Sequence, residues 1–329
     1  GHSEPNINST EIELVDGLSA TSQNCWPSVE FDIGAINNFL KRFFPAGFYY
    51  KTFMWPKSFW YKVYEPFIRK AAGLGVASLE KDKERYEHKF EYCDLLVTGS
   101  GPSGLSSAYA AAKNGAKVIL AEDKPRYGGT LLTDDVSIDN MSGKDWSEKI
   151  ISELKTMPNV TLKNRSQVFG YYDHNMMVMF ERVGDHLSKK TKYTPRQRLW
   201  YIRAKETILS TGSIERPIVF GNNDTPGVVL SSAAKEYMKV YGVLVGRKPV
   251  IFTNNDSAYE TAFEFKKNNV EPIILDTREE HDSEVVQAAK NKGIQIKFSY
   301  GVIVANGYKK VKSAKIGKLT KDKKSFENT

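Results

Sequence analysis

The chain has 329 residues, 26% of them charged, with 47 Lys and Arg against 39 Asp and Glu for a formal net charge of +8. That length gives room for about two domains with a buried core, and the sequence has neither an apolar run near the length of a membrane span nor a signal-peptide pattern, so a soluble, cytoplasmic protein is expected. The two cysteines, Cys25 and Cys93, lie far apart and argue against a disulfide framework or a metal site, while the basic excess, densest from Lys309 to Lys324, matches no nucleic-acid module and reads as solvated surface charge.

Residues 1–91 do not read as a self-contained domain. Gly1 to Ala20 is polar, and Phe39 to Phe67 is dense in aromatics, with 13 of 29 residues Phe, Tyr or Trp. So much apolar area must be covered, either by the rest of the chain or by another subunit. The charged stretch Ala77 to Glu91 reads as a helix or linker.

From Tyr92 strands and helices alternate. An apolar strand, Cys93 to Thr98, runs into Gly99-Ser100-Gly101-Pro102-Ser103-Gly104, a G-x-G-x-x-G turn. A helix-like run, Leu105 to Asn114, follows with Gly115 beyond its end, then a second strand, Lys117 to Ala121, ending on Glu122. This is a dinucleotide-binding βαβ pattern: Gly99 allows the tight turn, Gly101 lets backbone approach a pyrophosphate, and Gly104 lets helix and strand pack closely. Pro102 and Ser103 lie within this turn, and the free N–H groups and positive dipole end of the helix that follows suit phosphates. Glu122 can accept from ribose hydroxyls. It would repel a 2′-phosphate despite Lys124 and Arg126 nearby, so NAD or FAD is preferred over NADP.

The pair Gly128-Gly129 followed by Thr130 suits close backbone contact with a cofactor. Asp145 to Leu154 is an amphipathic helix and Val160 to Lys163 a parallel strand; Ser166 to Tyr172, Met176 to Arg182 and Tyr201 to Lys205 form an antiparallel excursion, with Val183 to Arg198 an exposed loop. Thr207 to Ser213, containing Thr211-Gly212, is similar to the strand by which the chain leaves the first domain of flavoproteins with two dinucleotide-binding domains. Lys248 to Phe252, a helix over Tyr259 to Lys267 and a strand Glu271 to Leu275 ending on Asp276 repeat the βαβ pattern. There, however, Thr253, Asn254 and Asn255 stand where glycines admit phosphates, so this second unit is read as having lost dinucleotide binding. No C-x-x-C pair is present, and His2, His88, His174, His186 and His281 are scattered without a partner pattern. No catalytic residue is assigned. The fold expected is α/β, of the two-dinucleotide-binding-domain, Rossmann-type flavoprotein kind: an aromatic-rich extension over 1–91, a first nucleotide domain over 92–215 and a degenerate second one over 216–329.

Longer strings carry a resemblance. Ser3 to Asn6, Ser22 to Asn24 with Trp26 to Ser28, Ala46 to Pro56 (AGFYYKTFMWP), Tyr64 to Arg69, Ala72 to Gly75, the GSGPSGL turn, Phe169 to Asp173, Ser210 to Gly212 and Thr253 to Asp256 resemble the α subunits of heterotetrameric sarcosine oxidases over nearly the whole chain. The resemblance implies a complex with β, γ and δ subunits that demethylates sarcosine oxidatively, forming hydrogen peroxide and passing the one-carbon unit to tetrahydrofolate. FAD and FMN would act mainly on the β subunit, and the α subunit would hold a structural NAD. It places NAD contacts at Ser103, Glu122, Asp123, Lys124, Thr130 and Val168. Family α subunits also have a ferredoxin-like region before the Glu-Pro-Asn stretch and, further on, a final strand and helix that close the first nucleotide domain and a folate-binding domain, all expected to be missing from this chain; without that strand and helix the sheet would have an open edge. Two other readings stay open: an FAD-binding subunit of a related amine, proline or opine dehydrogenase, and a non-catalytic scaffold with a vestigial nucleotide site.

Overall fold

A computed structural model describes residues 4–7, 12–40, 47, 53–76, 79–322 and 325–328. The chain divides into two units, one of Gly1–Glu87 with Arg182–Arg198 and the other of His88–Glu181 with Leu199–Thr329.

The first unit is held by polar contacts. None of the buried aliphatic or aromatic side chains belongs to its described residues. Arg196, 9% exposed, pairs with Asp185 at 2.6 Å and with Glu4. Asp32 caps a short 3-10 turn by accepting from Gly34 N–H and also accepts from Trp26 N–H, both at 3.0 Å. Two short helices, α1 (Asn37–Leu40) and α2 (Glu65–Ala71), follow. Much of the aromatic run falls at 41–46 and 48–52, outside the described residues; of the remainder, Phe39, Trp55, Tyr61 and Phe67 are exposed.

The second unit is built on a six-stranded sheet in the order β5-β2-β1-β8-β7-β6. The strands are β1 (Tyr86–Thr98), β2 (Val118–Ala121), β5 (Val160–Lys163), β6 (Ser166–Tyr172), β7 (Met176–Arg182) and β8 (Gln197–Leu209). The two-residue strands β3 (Ser137–Ile138) and β4 (Met141–Ser142) form a separate hairpin, whose central Asp139 and Asn140 both have positive φ, as a tight hairpin turn demands. Strands β1, β2 and β5 are parallel, with Leu95 opposite Val118 and Val118 opposite Val160; β6 and β7 are antiparallel.

All four residues of β2 are buried, because both faces of the sheet are covered. On one side α3 (Pro102–Lys113) and α4 (Gly143–Thr156) pack Leu105, Ala108, Trp146, Ile150 and Leu154 against Leu95, Val97, Val118 and Leu120. On the other, Met177, Met179, Trp200 and Ile202 enclose Leu96, Ile119 and Ala121. Such apolar runs without alternation are what a doubly covered parallel sheet selects.

Two expectations are corrected. Residues 86–91 are strand, not helix or linker, and Tyr201–Lys205 and Thr207–Leu209 are parts of one 13-residue strand. The apolar pattern stops at Cys93, but backbone pairing continues beyond the core: Arg196 N–H donates to Arg85 C=O at 2.7 Å, and at the far end Ser210 N–H donates to Thr98 C=O at 2.8 Å. Within β1, the N–H groups of both Asp94 and Leu95 donate to Lys117 C=O, at 2.9 and 3.2 Å, where the ladder with β2 opens at Leu95 opposite Val118.

The remaining chain forms a second lobe of the same unit. Strands β9 (Val250–Thr253), β10 (Ile273–Asp276) and β11 (Gln295–Phe298) make a parallel sheet in the order β11-β10-β9. Helices α5 (Ser231–Tyr241), α6 (Tyr259–Lys267) and α7 (Glu284–Asn291) contribute Met238, Phe265 and Val286 to its core. An antiparallel sheet of β12 (Tyr300–Gly307), β13 (Val311–Leu319) and β14 (Phe326–Asn328) follows. Leu154 is fully buried between α4 and the large sheet; Leu154→Ala is expected to cost about 2–5 kcal/mol, read as a lower midpoint in chemical denaturation.

Candidate dinucleotide site and its degenerate counterpart

The site forms where β1 and β2 end. The chain leaves β1 through Gly99, whose φ of +96° excludes most side chains, and a Cβ there would lie 2.3 Å from Ser210 C=O. A Cβ on Gly104 would lie 1.9 Å from Gly99 C=O, so helix α3 can sit this close to the strand only without a side chain at that point. Gly101 differs: a Cβ there meets nothing within 4 Å. The freedom it keeps faces open space, where a ligand's phosphates can come within reach of backbone. Gly101 is also the N-cap of α3, with no side-chain cap and Pro102 at the first helical position, which leaves the dipole end of a 12-residue helix available to an anion.

Ser100, at a variable position of the motif, organises this turn. It is 1% exposed and Glu122 8%. Ser100 N–H and Oγ donate to Glu122 Oε2 at 3.0 and 2.5 Å, and Lys124 N–H donates to Glu122 Oε1 at 2.9 Å. Gly128 N–H in turn donates to Ser100 C=O and Oγ, both at 3.1 Å. This brings Gly129 against the turn, since its Cβ would lie 2.9 Å from Gly101 Cα. Burial and the negative charge of Glu122 push the nearby Tyr127 phenol up to about 12, so it stays protonated.

The sequence-assigned residues therefore divide. Gly99, Gly101, Pro102, Ser103, Gly104, Gly129 and Thr130 surround the turn; Ser103 and Thr130 are exposed, and Ser210 Oγ lies 3.5 Å from Ser103 Oγ. Thr211 and Gly212 follow Ser210 as exposed backbone, Gly212 with φ +67°. Glu122 points inward, whereas Asp123 beside it is exposed. Lys124 directs its Nζ to Glu236 on α5 at 2.6 Å. Val168 lies on β6 and packs on the sheet core, two residues beyond Ser166, whose N–H donates to Glu122 C=O at 2.8 Å.

At the second turn side chains fill the space. Asn255 accepts from Ser257 N–H at 3.0 Å, and Thr253 Oγ1 accepts from Asn255 N–H at 3.1 Å. Asp276, the acid at the end of β10, is fully buried. It accepts from Tyr259 Oη at 2.8 Å and from Arg278 Nη2 at 2.7 Å, and Arg278 also pairs with Asp256 at 2.7 Å. Burial opposes ionisation of Asp276, but the Arg278 guanidinium beside it holds its carboxyl below the usual range.

Residues 94–179 match the family model described as FAD dependent oxidoreductase. The chain is 48% identical over 279 residues to the sarcosine oxidase subunit alpha of Rhizobium meliloti (strain 1021), covering 84% of this chain and 28% of that protein. It is 35% identical over 237 residues to the sarcosine oxidase subunit alpha of Corynebacterium sp. (strain U-96), covering 71% and 24%. The chain is homologous to the α subunits of sarcosine oxidases. It spans less than a third of the length of either relative. The thioredoxin reductase structure from T. acidophilum superposes with a TM-score of 0.52 at 15% identity, over 72% of each chain, and so shares the flavoprotein fold. In this fold class the GSGPSG turn is the first of two nucleotide-type turns and TNND the second.

Ser100 was not singled out from sequence because the motif leaves its position free; only the tertiary approach of Gly128 and Glu122 gives it a role. Ser100→Ala removes a buried donor from Glu122 and is expected to cost about 1–3 kcal/mol, measured by denaturant titration. The stability contributed by the lowered Asp276 carboxyl is present above the ordinary carboxylate range and is lost as pH falls through its folded value. The gap in melting temperature between wild type and Asp276→Asn should therefore narrow below about pH 4, as followed by circular dichroism.

Proposed function

We propose that this chain is the NAD-binding portion of a sarcosine oxidase α subunit, with NAD held as a resident ligand. The observation that carries the reading is the open Gly101 at an uncapped helix start, backed by Gly129. It is supported by the 48% identity to a sarcosine oxidase α subunit. Backbone N–H groups at Gly101 and Ser103 would receive the pyrophosphate. Ribose recognition would fall to Asp123, which is exposed, because both oxygens of Glu122 are already committed to Ser100 and Lys124. Thr130, Val168, Thr211 and Gly212 would line the remainder. NAD, when bound, would supply its dinucleotide framework and not a consumed hydride carrier, because the amine oxidation of this reading takes place on FAD and FMN of a partner β subunit. The complex would include γ and δ subunits, convert sarcosine to glycine with formation of hydrogen peroxide and 5,10-methylenetetrahydrofolate, and reside in the cytoplasm. The three-part division at 91 and 215 belongs to the same reading, with the second nucleotide turn closed by Thr253, Asn255 and the Asp276–Arg278 pair.

The family model named for FAD favours one alternative, FAD in the same turn. The two are separated by heating the purified protein and analysing the released nucleotide by chromatography. NAD supports the proposal; a yellow supernatant with flavin absorption overturns it in favour of FAD, and an empty supernatant with no binding of either by calorimetry leaves the turn a scaffold. Asp123→Asn is expected to weaken nucleotide binding by roughly tenfold to a hundredfold, the equivalent of about 1.5–3 kcal/mol for a hydrogen bond to a charged group. Glu122→Gln should instead lower the melting temperature.

A further inference from the structure

The segment from Glu122 to Asp135 carries Asp123, Lys124, Gly129 and Thr130, and its ends are tied to helices of the second lobe. At its start Lys124 pairs with Glu236 of α5 at 2.6 Å. At its end Asp134 pairs with Lys235 of α5 at 2.5 Å, and Lys235 also pairs with Glu260 of α6 at 2.9 Å. The next residue, Asp135, pairs with Lys239 of α5 and, at 2.5 Å, with Lys267 of α6. Both of these lysines also approach Glu264, at 3.8 and 3.6 Å. Charges of the two signs alternate from the loop through α5 to α6.

The pairs differ in weight. Lys124 and Asp135 have side chains 56% and 61% exposed, and solvent screening leaves such pairs weak. The Lys235 side chain is 10% exposed. A buried ammonium is costly unless its donors are met, and here Asp134 and Glu260 meet them from two different elements, so this pair fixes geometry. On the same helix Met238 enters the second-lobe core, which makes α5 a rigid support. From Lys235 the path to the glycine turn is short: Asp134 N–H donates to Thr130 C=O at 2.8 Å, and the adjacent Gly129 rests on Gly101.

We propose that Lys235 is a positioning residue through which the second lobe holds the Gly128–Asp134 segment over the glycine turn, so that the lobe whose own nucleotide turn is filled serves as the buttress of the other lobe's site. The effect on ligand affinity rests on the dinucleotide reading above; the effect on loop order does not. A pre-ordered loop spares the ligand the cost of ordering it, and a clamp made of ion pairs makes that order sensitive to salt.

The test compares full-length wild type, Lys235→Ala, Lys235→Arg and Lys266→Ala, the last removing an exposed surface pair with Glu271 that lies outside the clamp. Hydrogen exchange of amides 128–135 is measured without added nucleotide, and affinity for NAD and FAD is measured by calorimetry at low and high salt. Lys235→Ala is expected to raise exchange across 128–135 and weaken binding at least several-fold, with partial recovery in Lys235→Arg and no change in Lys266→Ala. Raising salt should weaken binding by wild type and hardly that by Lys235→Ala. Unchanged exchange at 128–135 in Lys235→Ala overturns the proposal. If wild type binds neither nucleotide, the dinucleotide reading fails while the exchange measurement still decides the clamp. Should Lys235→Ala not fold, Asp134→Asn gives the same reading from the loop side: raised exchange supports the clamp and unchanged exchange refutes it.

Discussion

The buried carboxylate of Glu122 is the point on which the nucleotide-binding half depends. One oxygen takes both donors of Ser100 and the other takes the backbone of Lys124, so a single charged group joins the turn after β1 to the loop after β2. Ser100 then passes the constraint to Gly128. An ionised group at 8% exposure is costly unless its acceptor capacity is used, and here that requirement works as a geometric device. The glycines can approach one another only if this carboxylate is satisfied, and it is satisfied only when they do.

Much of this was legible in the sequence, for reasons that can be located. Glycine positions are read well because their alternative is a steric clash, as at Gly104 against Gly99 C=O. The strands at Val160–Lys163, Ser166–Tyr172 and Met176–Arg182 and the helix at Tyr259–Lys267 have the bounds expected of their apolar patterns. The outer half of β1 was not legible, because residues 86–91 pair through backbone where no core selects side chains. Nor could sequence divide the roles of two adjacent acids. Strand β2 is buried throughout and shows no alternation, so which of Glu122 and Asp123 turns inward is decided by Ser100, on another element. The helices α5 and α7 also went unread, although their buried faces, Ala234 with Met238 and Val286 with Ala289, recur at the expected spacing.

The turn after β9 is filled by its own side chains. The parallel strands and the helix after the turn are kept, and the acid at the end of β10 is still Asp276. Its hydrogen-bonding capacity goes to Tyr259 and Arg278, and Asn255 caps the short 3-10 turn Asp256–Ala258 that precedes α6. The polar groups of this turn thus find their partners inside the chain.

The acceptor shared by Asp94 and Leu95 marks a place where β1 tolerates change differently. Cys93 and Leu96, three apart, share one core, while Leu95 and Val97 face the other. The alternation of side chains is thus offset by one at Asp94. Ahead of it, Tyr86, Phe90 and Tyr92 stand exposed while Cys93 points inward. Removing Asp94 would set Cys93 two positions from Leu96, the spacing at which a regular strand turns both to one face, so Cys93 would stay in its core and Tyr92 outside it. A deletion there is a change of length and not of face, whereas one on either side of it would turn part of the strand over.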